Sequence, residues 1–192
     1  RLVLNHHTTF FINSLAHIWG KQTYTDRNTA RDNGFLALLT FGEGYHNYHH
    51  IFSADYRNGI RWWHFDPTKW LIRLGSWFGL TSNLKRTNGY QIEKARLEMQ
   101  FKKAKEKAQI SCEATLATLH DEFDMVVAKL RDYYQVRKQL LDLKRQAMKQ
   151  NMHLPSMAEL KQKALTLRTA FEQQQREFAQ RLQLALRGPQ AN

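Results

Sequence analysis

Three histidines, His46, His49 and His50, stand three and four residues apart in the stretch Gly42-Glu43-Gly44-Tyr45-His46-Asn47-Tyr48-His49-His50. On a helix such positions share a face, so all three imidazoles are directed towards one spot. Neutral imidazole is the commonest protein ligand for transition metals, and an iron, zinc or copper site is the chemistry this spacing serves. An exposed polar turn is the competing reading. An affinity tag is not, because Asn47 and Tyr48 interrupt the run and it lies mid-chain. Upstream, His6, Phe10, Asn13 and His17 follow at i, i+4, i+7 and i+11, which is one helical stripe. Taken by spacing alone, His17 reads more readily as a buried histidine with a protein partner than as a ligand, and His6 and His7 are weaker candidates still.

The elements that position these residues can be read in order. Leu2, Val3, Leu4, Phe10, Phe11, Ile12, Leu15, Ile18 and Trp19 predict one helix ending at Gly20. It is too short and too polar for a complete membrane span, which needs about 20 mostly apolar residues, and it reads as the tail of a span beginning upstream. Residues 21–33 are a polar connection, and the apolar run Phe35–Phe41 leads into the histidine cluster. After an aromatic loop, Asp66 as cap and Pro67 at the first helical position start a helix through Trp70, Leu71, Ile72, Leu74, Trp77, Phe78 and Leu80. With Lys69 and Arg73 it suits either the bilayer edge or an ordinary packed surface.

The two halves differ. Residues 1–90 hold all five tryptophans and seven of nine histidines, with ten basic against five acidic side chains. Residues 91–192 hold nineteen basic against twelve acidic and no tryptophan, so the boundary is placed at the Thr87-Asn88-Gly89 turn. The whole chain carries +12 and a pI near 10.0. That balance fits anionic headgroups or phosphate-bearing ligands, but the basic residues spread over several helix faces with no groove-reading motif, which argues against nucleic acid. Cys112 is the lone cysteine, which excludes a disulfide framework and a thiolate metal site. The sequence opens on Arg1 within an apolar pattern and without a signal peptide's layout, and so reads as part of a longer chain.

From Gln91 to about Gln150, Leu116, Leu119, Phe123, Val126, Leu130, Tyr133, Val136 and Leu140 recur at threes and fours as a coiled-coil-like seam. Asn151–Pro155 breaks it. A capping box, Ser156-Met157-Ala158-Glu159, opens a second helix with the stripe Leu160, Ala164, Leu167, Phe171, Phe178 and Leu182, stopped by Gly188-Pro189. Two antiparallel helices satisfy both stripes, on each other or on a partner. The basic run Lys94, Arg96, Lys102, Lys103, Lys105 and Lys107 reads as a solvated face with interleaved glutamates, the alternatives being a headgroup, acidic-protein or coenzyme contact.

Asn13-Ser14-Leu15-Ala16-His17 with Trp19-Gly20, then Gly42–His50, then Asp55-Tyr56-Arg57, resemble in order and spacing the carboxy-terminal part of the membrane fatty acyl-CoA desaturases, the stearoyl-CoA Δ9-desaturase family. The resemblance covers roughly residues 1–85. It implies an all-α fold: the end of a helical integral-membrane di-iron desaturase over residues 1–90, followed by a basic helical hairpin extension over 91–192. It further implies the oxygen-dependent insertion of a cis double bond into a long-chain acyl-CoA, two iron ions as cofactor, and a site on the cytoplasmic face of a membrane.

By that resemblance His46, His49 and His50 are the last histidine box and iron ligands, and His17 is a further ligand. Asn13 holds a metal-bound water, and Thr9 and Phe10 lie near a bent acyl tunnel. Ser53 stands where the family pairs Phe with Pro, so the loop leaving the box is expected to be less rigid. The earlier boxes are missing from these residues, which leaves the two-iron site incomplete in this chain. Abstraction of hydrogen from an unactivated methylene needs a strong oxidant, and neutral nitrogen ligands support one while leaving positions open for oxygen. The 192 residues contain no haem motif or ferredoxin cysteine pattern, so the resemblance implies a separate electron-donor protein. A related histidine-box lipid hydroxylase or acyl-lipid desaturase, and a non-catalytic helical membrane-recruitment module, are the alternatives.

Overall fold

The computed structural model describes residues 2–108, 113–150 and 156–187. Every regular element among them is a helix: α1 (Leu2–Asn13), α2 (Leu15–Ile18), α3 (Gly34–Leu39), α4 (His46–Ile51), α5 (Pro67–Trp77), α6 (Gly89–Ala108), α7 (Glu113–Gln150) and α8 (Ser156–Arg187). The β pairing among the described residues consists of two isolated antiparallel bridges, Lys21 with Asp32 and Asp32 with Tyr45. No helix among the described residues is long and apolar enough to cross a membrane. The chain divides into two compact units, Arg1–Gln100 and Phe101–Asn192. The division falls inside α6, some way past the turn that marks the compositional boundary.

In the first unit, the single helix expected over residues 1–20 is two. Ser14 makes the break: its N–H and its hydroxyl both bond the Phe10 carbonyl, at 2.8 and 2.5 Å, and the Asn13 amide turns back onto the Thr9 carbonyl at 3.2 Å. Side chains that satisfy the backbone locally compete with the helical ladder in this way. The His17 N–H then bonds the Ser14 carbonyl at 3.1 Å, a tighter turn, and α2 runs only to Ile18. Gly20 has φ +136°, and a Cβ there would lie 2.6 Å from the Asp32 carbonyl oxygen. Its absence lets Lys21 and Asp32 exchange backbone hydrogen bonds at 2.9 and 2.8 Å, which brings the chain back beside α2.

The Asn33 side chain caps α3, accepting from the N–H groups of Phe35 and Leu36 at 3.0 and 3.1 Å. Gly44 lets α3 and the start of α4 approach, since a Cβ there would run into the Ala37 backbone nitrogen. Behind α4, Tyr48 packs with Tyr24, Ile92 and Ala95, flanked by Phe52 and Ile60, so the first turns of α6 close the core of this unit. The predicted cap of α5 is in place: Pro67 occupies its first turn, and the Asp66 carboxylate accepts from the Lys69 N–H at 2.9 Å while its other oxygen takes the N–H groups of Asn58 and Gly59, both at 2.9 Å. The helix ends at Trp77 rather than at Leu80, where the Leu80 N–H returns to the Gly75 carbonyl at 2.9 Å.

In the second unit α7 and α8 pack against each other. Lys129 bonds Gln174 at 2.7 Å, Glu122 pairs with Arg181, and Phe123 lies 6.1 Å from Phe178. Rising positions on α7 meet falling positions on α8, so the pair is antiparallel. The expected α7 stripe is the buried one, with Leu119, Phe123, Val126, Leu130 and Val136 all inside, and Ala164, Phe171 and Phe178 answer from α8. Phe101 stacks on Phe123 at 4.8 Å. The expected break at Asn151–Pro155, the stop at Gly188-Pro189, and Cys112 lie outside the described residues.

Candidate metal centre

α2 and α4 bring three imidazoles together. His46 Nε2 lies 3.0 Å from His17 Nε2 and 3.1 Å from His50 Nε2, and the ligand atoms of the three all fall within 4.8 Å of one another. The rings meet edge to face: His17 and His46 at 80°, His46 and His50 at 81°. His46 is buried, His17 half-buried and His50 exposed, so the trio opens to one side.

The fourth expected ligand sits differently. His49 projects beside the trio, its ring centroid 6.3 Å from that of His46 and 6.1 Å from that of His50, and it contributes no atom to the cluster of three. A helix of six residues turns position i+3 about 60° from i, opposite in sense to the offset of i+4, so three histidines at i, i+3 and i+4 fan out. Asn13 has its amide engaged by its own helix. Thr9 and Phe10 lie on an exposed face of α1, with Phe10 65% exposed. His6 and His7 are also exposed on α1.

The donor set fits a transition ion. Metal–imidazole bonds are about 2.0–2.1 Å, so neighbouring ligand nitrogens in octahedral or tetrahedral shells stand about 3.0–3.4 Å apart. The separations at His46 fall at that spacing. All three donors are neutral nitrogens, which suit iron, zinc or copper rather than calcium or magnesium. Burial, reinforced by His50, His17 and His49 around it, pushes His46 down to about 4, so its ring is neutral at physiological pH. Burial lowers His50 in the same direction, with His17 and His49 adding to it. The buried His46 Nδ1 has no hydrogen-bond partner among the described residues.

Two residues that spacing did not single out organise this geometry. Thr29 Oγ1 lies 2.8 Å from His17 Nδ1. Asn47, fully buried between the histidines, accepts at Oδ1 from the N–H groups of Thr23, Tyr24 and Thr25 at 3.0, 2.8 and 3.3 Å. Its amide nitrogen donates to the carbonyls of Thr25 and Ala30 at 2.7 and 2.9 Å. The polar connection 21–33 is therefore a clamp fastened to α4 rather than a slack linker. Asp32 adds another tie by accepting from the Tyr48 N–H at 3.1 Å; burial raises its carboxyl to about 6. The signal available in the sequence was Asn47 itself, a polar residue held at a fixed place inside a ligand run.

A helical segment that focuses imidazoles from two elements is a candidate histidine-ligated metal site. Comparison with known proteins shows what this segment is similar to. The family model for fatty acid desaturase matches residues 1–75, so that part of the chain is similar to fatty acid desaturases. The chain is 50% identical over 102 residues to a probable acyl-CoA desaturase of Schizosaccharomyces pombe, covering 53% of this chain and 21% of that protein. It is 48% identical over 120 residues to acyl-CoA desaturase 1 of Saccharomyces cerevisiae, covering 62% and 24%. Over 96 residues it is 41% identical to an icosanoyl-CoA 5-desaturase of Limnanthes douglasii, covering 50% and 27%. The chain thus spans between 21% and 27% of the length of these relatives, whose names are those of oxidoreductases.

Proposed function

We propose that this chain carries the last histidine box of an oxygen-dependent desaturase of long-chain acyl-CoA, of Δ9 type, acting in unsaturated fatty acid synthesis. The observation that carries the reading is the meeting of three imidazole nitrogens from α2 and α4, 29 residues apart at His17 and His46, within a segment similar to acyl-CoA desaturases. Iron, when bound, supplies the oxidising power to remove hydrogen from two adjacent methylenes. His17, His46 and His50 hold one ion, and His49 serves a second together with imidazoles from parts of a longer protein that this chain does not span. Asn13 holds a water at the metal once its amide leaves the Thr9 carbonyl, and Thr9 and Phe10 border the acyl chain. The buried, neutral side of the trio keeps water from the reacting carbon. Oxygen and a separate electron-donor protein complete the reaction.

A membrane setting with the site on the cytoplasmic face is part of the same proposal. Its support is the segment 60–86. Trp62, Trp77, Phe78 and Leu80 are more than 70% exposed there, and the segment carries Arg61, Arg73, Lys85 and Arg86 against a single acid, Asp66, which is buried. Aromatic side chains and cations together suit the headgroup layer. Residues 91–192 form, in this reading, a basic, coiled-coil-like extension built on the α7–α8 pair.

The full-length protein, recovered from the membrane fraction in detergent, tests the reading through iron per chain and acyl-CoA turnover in wild type and His46→Ala. The expected result is two irons in wild type, loss of at least one in the variant, and turnover reduced at least about 10³-fold, in line with loss of a group essential to catalysis. A soluble, iron-free wild type, or turnover indifferent to His46, rejects it.

A further inference from the structure

We propose that Thr29 sets the tautomer and the aim of His17 at the metal, and that Asn47 holds Thr29 where it can do so. The inference rests on the reading of His17, His46 and His50 as a metal-binding trio and extends it to residues that touch no ion.

A neutral imidazole has one N–H. For His17 to present a lone pair at Nε2, the proton must sit on Nδ1, where it needs an acceptor. Thr29 Oγ1, 2.8 Å from Nδ1, is placed to accept it. Without that acceptor the proton is better placed on Nε2, which lies 3.0 Å from His46 Nε2. The two histidines would then be hydrogen-bonded to each other, with one lone pair consumed and the other ring turned away from ligation.

The hydroxyl acts this way only if its own position is fixed. Both neighbours of Thr29 are tied. The Asn28 carbonyl accepts from the Gln22 side chain at 2.7 Å, and the Asn28 side chain accepts from the Ala30 N–H at 3.1 Å. The Ala30 carbonyl accepts from the Asn47 amide at 2.9 Å. One residue on, the Arg31 N–H bonds the Ala16 carbonyl at 2.8 Å, beside His17. Thr29 is thereby referenced to α2 through Ala16 and to α4 through Asn47, the two elements that supply the trio. Partners of metal-bound histidines orient the ring and are worth about 10- to 100-fold in metal affinity.

The test uses the full-length protein in detergent, as wild type, Thr29→Val, Thr29→Ser and His46→Ala. Iron retained per chain is measured against increasing chelator, and thermal unfolding is measured on metal-free samples. Valine keeps the shape and removes the hydroxyl; serine restores it. We expect Thr29→Val to release iron at chelator concentrations about 10- to 100-fold lower than wild type, Thr29→Ser to stay within about twofold, and metal-free unfolding to be the same in all three. Iron held by Thr29→Val as tightly as by wild type overturns the inference. Equal losses in the valine and serine variants also overturn it, because the site then senses shape and not the hydroxyl. Iron retained by His46→Ala at the wild-type level is a different failure: it removes the trio itself, and the role of Thr29 with it.

Discussion

Asn47 stands inside the histidine run and binds no metal in the reading given above, yet it makes five hydrogen bonds to the 23–30 backbone. Removing its side chain leaves the buried N–H groups of Tyr24 and Thr25 without their acceptor. A buried donor stripped of its partner costs about 1–3 kcal/mol. Asn47→Ala is therefore expected to destabilise the protein by about 3 kcal/mol or more, seen as a lower denaturant midpoint at unchanged slope; a change below about 1 kcal/mol would show that the clamp is not held here. The case marks what was legible at this scale. His46 and His50 follow from i, i+4 spacing, and the nearness of His17 followed from resemblance rather than from pattern. Thr29 and Asn47 were not legible as partners, because their contacts span 12 and up to 24 positions through an irregular segment, where no period relates one residue to the next.

At the level of elements, Asp55 ties three segments together. Its carboxylate accepts from the Tyr48 hydroxyl of α4 at 2.7 Å, from Arg57 at 2.7 and 2.9 Å, and from the Thr87 N–H ahead of α6 at 2.8 Å. Burial alone would raise this carboxyl, but Arg57, Tyr48 and Thr87 overcome it and hold it at about 2. An unfolded Asp titrates at about 3.9. The folded value is the lower one, so the network's contribution, about 2 kcal/mol, is present above pH about 4 and is lost as pH falls towards 2. Wild type is expected to exceed Asp55→Asn in stability by about that amount at neutral pH, with the gap closing between pH 4 and 2; a gap constant across that range would mean that the bonds do not depend on the charge. The cap of α5 by Asp66 and Pro67 was legible because capping is local in sequence. The break at Ser14 was not, since an apolar stripe continues through a position where hydroxyl and amide groups turn back on their own helix.

For the whole molecule, the division into two compact units matters more than the helix count. The seam of α7 was readable residue by residue, because α7 and α8 are long and a 3.6-residue period accumulates over many turns; the position of the division inside α6 was not, because α6 keeps one helical pattern on both sides of it. Each unit has its own buried cluster, around Tyr48 in the first and around Val126 and Leu130 in the second. The histidine trio is built entirely from residues of the first unit. A lesion in the second cluster should therefore spare iron. Val126 is fully buried, and an unpaired carboxylate there costs several kcal/mol. Val126→Asp is expected to melt the α7–α8 pair, with a large loss of helical circular dichroism at a temperature where wild type is folded, while iron per chain stays at the wild-type level. Iron lost in step with helicity would mean that the two clusters fold as one cooperative body and that the extension is part of what holds His17 against His46.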